Sequence, residues 1–222
     1  MKGLPRQVEG VLAIAGLTLA SPVMALVAML IKATSTGPVF FQQRRVGLDG
    51  RSFRLYKFRS MHVANTGIRV TASGDPRVTP IGRIIRKAKI DELPELWNVV
   101  RGDISLVGPR PEVPRYVDMK NPLWQKVLEV RPGITDPVTL RLRNEEHLLS
   151  SCGTNTESFY LDSLQRYKLL GYIDYLKNRS WKSDVRVLFE SLIAILMPSK
   201  CPAPSLEEMM GVRGSEAGKR GG

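Results

Sequence analysis

The stretch KIDELPELWNVVRGDISLVGPRPE, Lys89 to Glu112, sets two adjacent carboxylates, Asp91 and Glu92, between a cluster of cations and a rigid Gly-Pro-Arg-Pro turn. Leu93, Leu96, Trp97 and Val100 recur at i, i+3, i+4 and i+7, the spacing of one buried stripe on a helix. With Asp91 as its N-cap, Pro94 falls in the first turn, where no intrahelical donor is lost. Capping alone is therefore one reading of Asp91, and a first-turn acid is an ordinary role for Glu92. The same geometry admits chemistry, because a helix N-terminus gathers phosphate and an ionised carboxylate there can attack phosphorus. Downstream, two prolines restrict the backbone of Arg110 and aim its guanidinium for bidentate phosphate contact, although proline-rich turns also serve as inert connectors.

The rest of the chain supplies the setting. At 222 residues it is long enough for one main domain with short appendages. Lys and Arg outnumber Asp and Glu 33 to 21, so its partners are polyanions: nucleic acid, anionic lipid or phosphorylated substrates. Cys152, Cys201, His62 and His147 lie too far apart to suggest a zinc or thiolate site. Two cysteines fit a reducing compartment and leave hard, oxygen-bound cations as the expected metal class.

Val11 to Ile31, VLAIAGLTLASPVMALVAMLI, carries no charge, and at ~1.5 Å per residue it reaches ~31 Å, about one hydrocarbon thickness. A signal peptide fits less well, since no small-residue cleavage site follows. A single crossing helix is the plain reading. Against it stand Ser21-Pro22 in mid-segment, where proline removes a backbone hydrogen bond and the serine hydroxyl can satisfy the freed carbonyl. Lys2 and Arg6 precede the run and Lys32 follows it, so crossing would put cations on the translocated side. A helix-break-helix entering and leaving by one face avoids that conflict, and both topologies fit the residues.

VFFQQRRVGLDGRSFRLYKFRSM, Val39 to Met61, reads as a hairpin around Asp49-Gly50. Its Arg44, Arg45, Arg51, Arg54, Lys57 and Arg59 form a cationic surface facing water or lipid headgroups. DPRVTPIGRIIRKAKI follows, with Ile81, Ile84, Ile85 and Ala88 at helical spacing beside Arg83, Arg86 and Lys87, suited either to an anionic membrane surface or to a core with a wet outer face. Helices are expected over 158–178 and 182–197, the second apolar enough for the core or the membrane interface. The end, SEAGKRGG, reads as a disordered tail.

Together these residues resemble the bacterial sugar transferase family, specifically its small monotopic phosphoglycosyl transferases. The likeness is most specific over IDELPELWNVVRGDISLVGPRP and extends to GPVFFQQRRVGLDGRSFRLYKFRSM, DPRVTPIGRIIRK, RPGIT and Ser21-Pro22, from about residue 5 to 197. It implies an α+β fold, mostly helical with a small β-hairpin or sheet. A re-entrant membrane hairpin would cover 1–36, a cytoplasmic catalytic domain with amphipathic interfacial helices 37–200, and a polar tail 201–222. The implied activity moves a phosphosugar from a UDP-sugar to polyprenol (undecaprenol) phosphate, giving a polyprenol diphosphate sugar and UMP at the cytoplasmic face of the bacterial plasma membrane.

By the same resemblance Asp91 is the nucleophile and a ligand of Mg2+, with Glu92 positioning or handling protons. Arg110 is the first expectation for phosphate binding, followed by Lys57, Arg59 and Arg86. The partners implied are the UDP-sugar, the polyprenol phosphate and the phospholipid membrane, with a second copy of the chain or downstream glycosyltransferases beyond them. No nucleic-acid-reading motif is present. Where many relatives continue after RPGIT with Gly-Trp-Ala-Gln, this chain has DPVTLRLRNEE, so Asp136 and Arg143 are candidates for the sugar-nucleotide pocket or for plain loop roles. Relatives often carry Leu-Pro near Leu164-Gln165, and here the proline is absent. Asp184 reads as an N-cap or salt-bridge residue. The competing class is a non-catalytic, membrane-anchored scaffold that binds anionic lipid, which explains the charge and the anchor but not the Asp-Glu pair beside the arginine turn.

Overall fold

The computed structural model describes residues 3–62, 74–143, 145, 149, 156–197 and 204. Cys152, Cys201, His147 and the tail apart from Pro204 lie outside the described residues. Helix α1, Arg6–Thr34, continues through Ser21 and Pro22 where two helices separated by a break were expected. The reason is local: Pro22 cannot donate to Thr18 O, and Ser21 Oγ donates to that carbonyl at 2.8 Å instead. The hydroxyl fills the vacancy that would otherwise end the helix.

Both ends of α1 pack on the same body. Near the start, Ala13 joins Leu55, Val99, Ile104, Leu106, Val107 and Val187 in one apolar cluster. Near the finish, Val27 and Ile31 join Phe58 and Ile85 in another. Between them the helix stands clear, with Leu19 81% exposed. Polar latches reinforce each end. Buried Glu9 accepts from Leu106 N at 3.0 Å, Arg6 donates to Val99 O, and Leu4 N donates to Asp184 Oδ2 at 3.0 Å. At the other end buried Arg59 donates to Thr36 O at 2.7 Å and to Ser35 O at 2.9 Å.

Strands β1, Phe40–Val46, and β2, Ser52–Phe58, form the expected antiparallel hairpin, with Phe40 opposite Phe58 and Val46 opposite Ser52. Asp49 and Gly50 turn it with φ of 54° and 75°, left-handed values that Asp tolerates and Gly adopts freely. Helix α2, Pro80–Lys87, starts where Thr79 accepts from Gly82 N. Its expected stripe is only partly inside: Ile85 is buried, whereas Ile84 and Ala88 are exposed.

Helix α3, Glu95–Arg101, closes on Gly102 at φ 89°. Its buried side carries Glu95, Asn98 and Val99, while Trp97 of the expected apolar stripe is 50% exposed. Polar pairing explains the inversion at Asn98, whose amide donates to Arg54 O at 2.7 Å and accepts from Tyr56 N at 3.0 Å, stitching α3 to β2. Strand β3, Ser105–Val107, runs parallel to β4, Gly133–Thr135.

Between β3 and β4 lies α4, Pro122–Leu128, and after β4 comes α5, Pro137–Arg141. Helix α6, Thr156–Phe159, passes through a π turn, Tyr160–Leu164, into α7, Gln165–Lys177. Helix α8, Trp181–Leu196, begins with a capping box between Ser180 and Ser183. Of the two roles open to Asp184, the ion pair is realised: Arg179 Nη2 lies 3.0 Å from its Oδ2. Val187 and Ala194 of α8 are buried, and Trp181, Val185, Phe189, Leu192 and Ile195 form an exposed apolar stripe on its other side.

Candidate active site

Asp91 lies in a single 3-10 turn, Ile90–Glu92, before α3 begins. The capping alternative is not realised, since Asp91 caps no helix and α3 starts behind Pro94 with no side-chain cap. Lys89 enters the turn at φ 57° and ψ 18°, a left-handed conformation costly for a side-chain-bearing residue. Asp91 is 8% exposed, and its Oδ1 is buried with no hydrogen-bond partner. Burial, and then the charge of Glu92, push its carboxyl up to about 6; Lys57, Lys89 and Arg86 oppose the rise.

Glu92, one residue on, is held in the opposite sense. Lys57 Nζ donates to its Oε1 at 2.8 Å, and Arg110 grips both carboxylate oxygens, with Nη1 3.3 Å from Oε2 and Nη2 on Oε1. Burial resists its ionisation, but Arg110, Lys57 and Lys89 outweigh that and hold the group well below the usual carboxylate range. Lys57 Nζ also stands 3.1 Å from Glu95 Oε1, near enough for an ion pair yet not aligned as a hydrogen bond. Glu95 is 1% exposed, and its burial raises its carboxyl, with Lys57 pulling the other way. The turn thus sets one ionised carboxylate clamped by cations beside one partly unsatisfied carboxylate.

The other expected residues divide. Arg110 and Lys57 meet at Glu92, and Arg86 is near enough for its charge to act on Asp91. Arg59 is 4% exposed and its terminal nitrogens bind the end of α1, so it locks that helix to β2 rather than facing the carboxylate pair. Asp136 is fully buried as the N-cap of α5, accepting from Val138 N at 2.7 Å and Thr139 N at 3.0 Å. Burial raises its carboxyl to about 6. Arg143 donates to Ala194 O at 3.1 Å and ties the α5 end to α8.

Two residues of the site were not singled out in the sequence. Glu95 sits four after Asp91, and that i, i+4 recurrence of acids was the available signal. Lys89 offered none, because a lysine carries no local signature of left-handed backbone. No group of three or more His, Cys, Asp or Glu side chains converges as a metal cluster among the described residues.

The bacterial sugar transferase sequence profile matches residues 2–198. The chain is 38% identical over 198 residues to the UDP-N-acetylgalactosamine-undecaprenyl-phosphate N-acetylgalactosaminephosphotransferase of Aeromonas hydrophila, covering 87% of this chain and 44% of that protein. It is 38% identical over 200 residues to the UDP-glucose:undecaprenyl-phosphate glucose-1-phosphate transferase of Caulobacter vibrioides, covering 87% and 70%. An Escherichia coli protein of the same name is 41% identical over 191 residues, covering 84% of this chain and 39% of its own length. The chain therefore spans less than half of the Aeromonas and Escherichia relatives and most of the Caulobacter one. With the profile running through the apolar helix, the Asp91 turn and the Arg110 turn alike, the chain belongs to the bacterial sugar transferase family.

Proposed function

We propose that this chain transfers a phosphosugar from a UDP-sugar to polyprenol (undecaprenol) phosphate, releasing UMP and leaving a polyprenol diphosphate sugar, the first membrane step of glycoconjugate assembly. The observation that carries the reading is the Asp91 carboxylate, buried and with Oδ1 unpartnered beside a carboxylate that two cations clamp. An Asp91 oxygen attacks the sugar-bearing phosphorus, the bridging P–O bond breaks, and its electron pair leaves with UMP. An oxygen of the polyprenol phosphate then attacks the same phosphorus and breaks the aspartyl O–P bond, which restores the carboxylate.

An anionic nucleophile approaching a diphosphate requires neutralisation. Arg110 and Lys57 supply positive charge, and the donor's phosphates compete for them with Glu92, whose two oxygens hold the same cations in the resting site. Glu92 stays ionised at neutral pH, which favours positioning over proton delivery. The lone Oδ1 of Asp91 fits one ligand position of Mg2+, an ion that takes one or two carboxylates and completes its shell with substrate phosphates and water. When bound there, Mg2+ would offset phosphate charge.

The membrane placement is supported by α1. Among the described residues it is the one helix long and apolar enough to cross a bilayer, yet both its ends are latched to one body. A crossing would tear out Glu9 or Arg59 with their buried partners, at about 3 kcal/mol or more for each broken buried charge contact. We therefore read α1 as re-entrant, bent at Pro22 rather than broken there, and the protein as monotopic on the cytoplasmic face, with the exposed stripe of α8 at the interface.

The test is a donor screen: purified protein, polyprenol phosphate and a panel of UDP-sugars, with UMP release as readout. Turnover with at least one donor is expected. Binding to anionic vesicles with no UMP from any donor would favour the lipid-binding scaffold instead.

A further inference from the structure

The Gly108–Glu112 turn that carries Arg110 is held from three sides. On the first, Gly108 N donates to Thr135 O and Gly133 N donates to Pro109 O, each at 2.9 Å. The backbones approach so closely that a Cβ on Gly133 would stand 2.1 Å from Gly108 N. On the second, Val46 N donates to Glu112 O at 2.8 Å, and Arg45 Nη1 donates to Pro111 O at 2.9 Å while lying 3.3 Å from Glu112 Oε1. The third is Tyr160, whose hydroxyl donates to Glu112 Oε2.

Tyr160 opens the π turn Tyr160–Leu164. Such insertions are rare, and they are frequent at functional sites. The side chain here is 4% exposed, its ring lies 5.3 Å from that of Tyr116, and Lys168 Nζ stands 4.9 Å over it. Lys168 is itself fixed by Glu145 at 2.7 Å. Glu112 Oε1 meanwhile accepts from Val113 N at 2.8 Å, so one of its oxygens fixes its own loop while the other takes the Tyr160 hydroxyl. None of these contacts involves Asp91 or Glu92, and the chemistry proposed above leaves them unused.

We propose that Tyr160 and Glu112 are positioning residues for Arg110: the phenol–carboxylate contact, delivered by the π turn, sets the register in which the arginine fork meets the donor's phosphates. The inference rests on the phosphate-binding role given to Arg110 above. It needs only a small movement, because a misplacement of about 1 Å at such a group costs about a hundredfold in rate.

Tyr160→Phe keeps the ring, its packing and the Lys168 contact, and removes one hydroxyl. Its melting temperature should stay close to wild type, while calorimetric affinity for UDP falls about tenfold and KM for the UDP-sugar rises to match. Glu112→Gln should lose UDP affinity in the same range, and it serves as the readout if Tyr160→Phe does not fold. In an Arg110→Lys background, adding Tyr160→Phe should change UDP affinity by less than about twofold, since the group it positions is gone. Unchanged UDP affinity in Tyr160→Phe, or an undiminished further loss on top of Arg110→Lys, would overturn the proposal. Wild-type protein that binds no UDP would sink the functional reading itself, whereas wild-type binding with equal affinity in Tyr160→Phe sinks only the brace.

Discussion

At the scale of single residues, neighbouring carboxylates carry opposite burdens. Asp91 titrates near 6 against an ordinary 3.8, so between those values the folded state holds a proton that the unfolded chain has lost. Its contribution to stability therefore falls as pH rises through that window, and the penalty persists above it. Asp91→Asn should remove the penalty, a gain of up to roughly 3 kcal/mol at pH 7.5 seen as a raised melting temperature, together with loss of UMP release. For the wild type, turnover should fall as pH drops through about 6, because the attacking oxygen must be ionised. Glu92→Gln should act the other way on stability. It strips Arg110 and Lys57 of their shared counter-charge, which costs about 3 kcal/mol and lowers the melting temperature measured beside Asp91→Asn. Matching shifts of one sign in the two variants would contradict the electrostatic division between them.

At the scale of elements, the turn holding Asp91 stores strain at Lys89. Lys89→Gly should relieve about 1 kcal/mol of left-handed backbone strain, read in a chemical denaturation midpoint. It should also raise the Asp91 carboxyl further, since Lys89 holds it down. The hairpin was legible because Asp49-Gly50 states its turn chemistry outright, and α8 was legible because its apolar run is long. The continuity of α1 through Pro22 was not, since a single Ser21 hydroxyl bond takes the carbonyl that proline leaves without a donor. The stripe of α3 misled for a physical reason: periodicity marks which residues avoid water, not whether protein or lipid receives them. Trp97 and Ile84 face outward beside an apolar helix, and Glu95 and Asn98 occupy the interior because ion pairing and hydrogen bonding satisfy them there. Of the candidate site, Asp91, Glu92, Lys57 and Arg110, which the structure brings together, were readable from one stretch and one hairpin. For Arg59 and Arg143 the sequence carried no sign of the structural contacts they make, because each partner is backbone that only the fold brings near, and the cap made by Asp136 depends on α5 starting behind it.

At the scale of the whole molecule, the proposed reaction would bring a soluble nucleotide sugar and a membrane-held lipid phosphate to one carboxylate, and both ends of α1 pack on the body that carries it. With Cys152 and Cys201 replaced by serine, Gln7→Cys and Thr36→Cys, at opposite ends of α1, should both resist a membrane-impermeant maleimide in intact cells and react after permeabilisation. Labelling of either one in intact cells would show that the helix crosses. The two-step transfer through Asp91 is tested most directly by mixing the protein with its UDP-sugar in the absence of polyprenol phosphate and measuring UMP and peptide mass together. The predicted result is one equivalent of UMP per protein and a phosphosugar adduct on the peptide containing Asp91. UMP release that strictly requires the lipid acceptor, with no adduct at any time point, would contradict it.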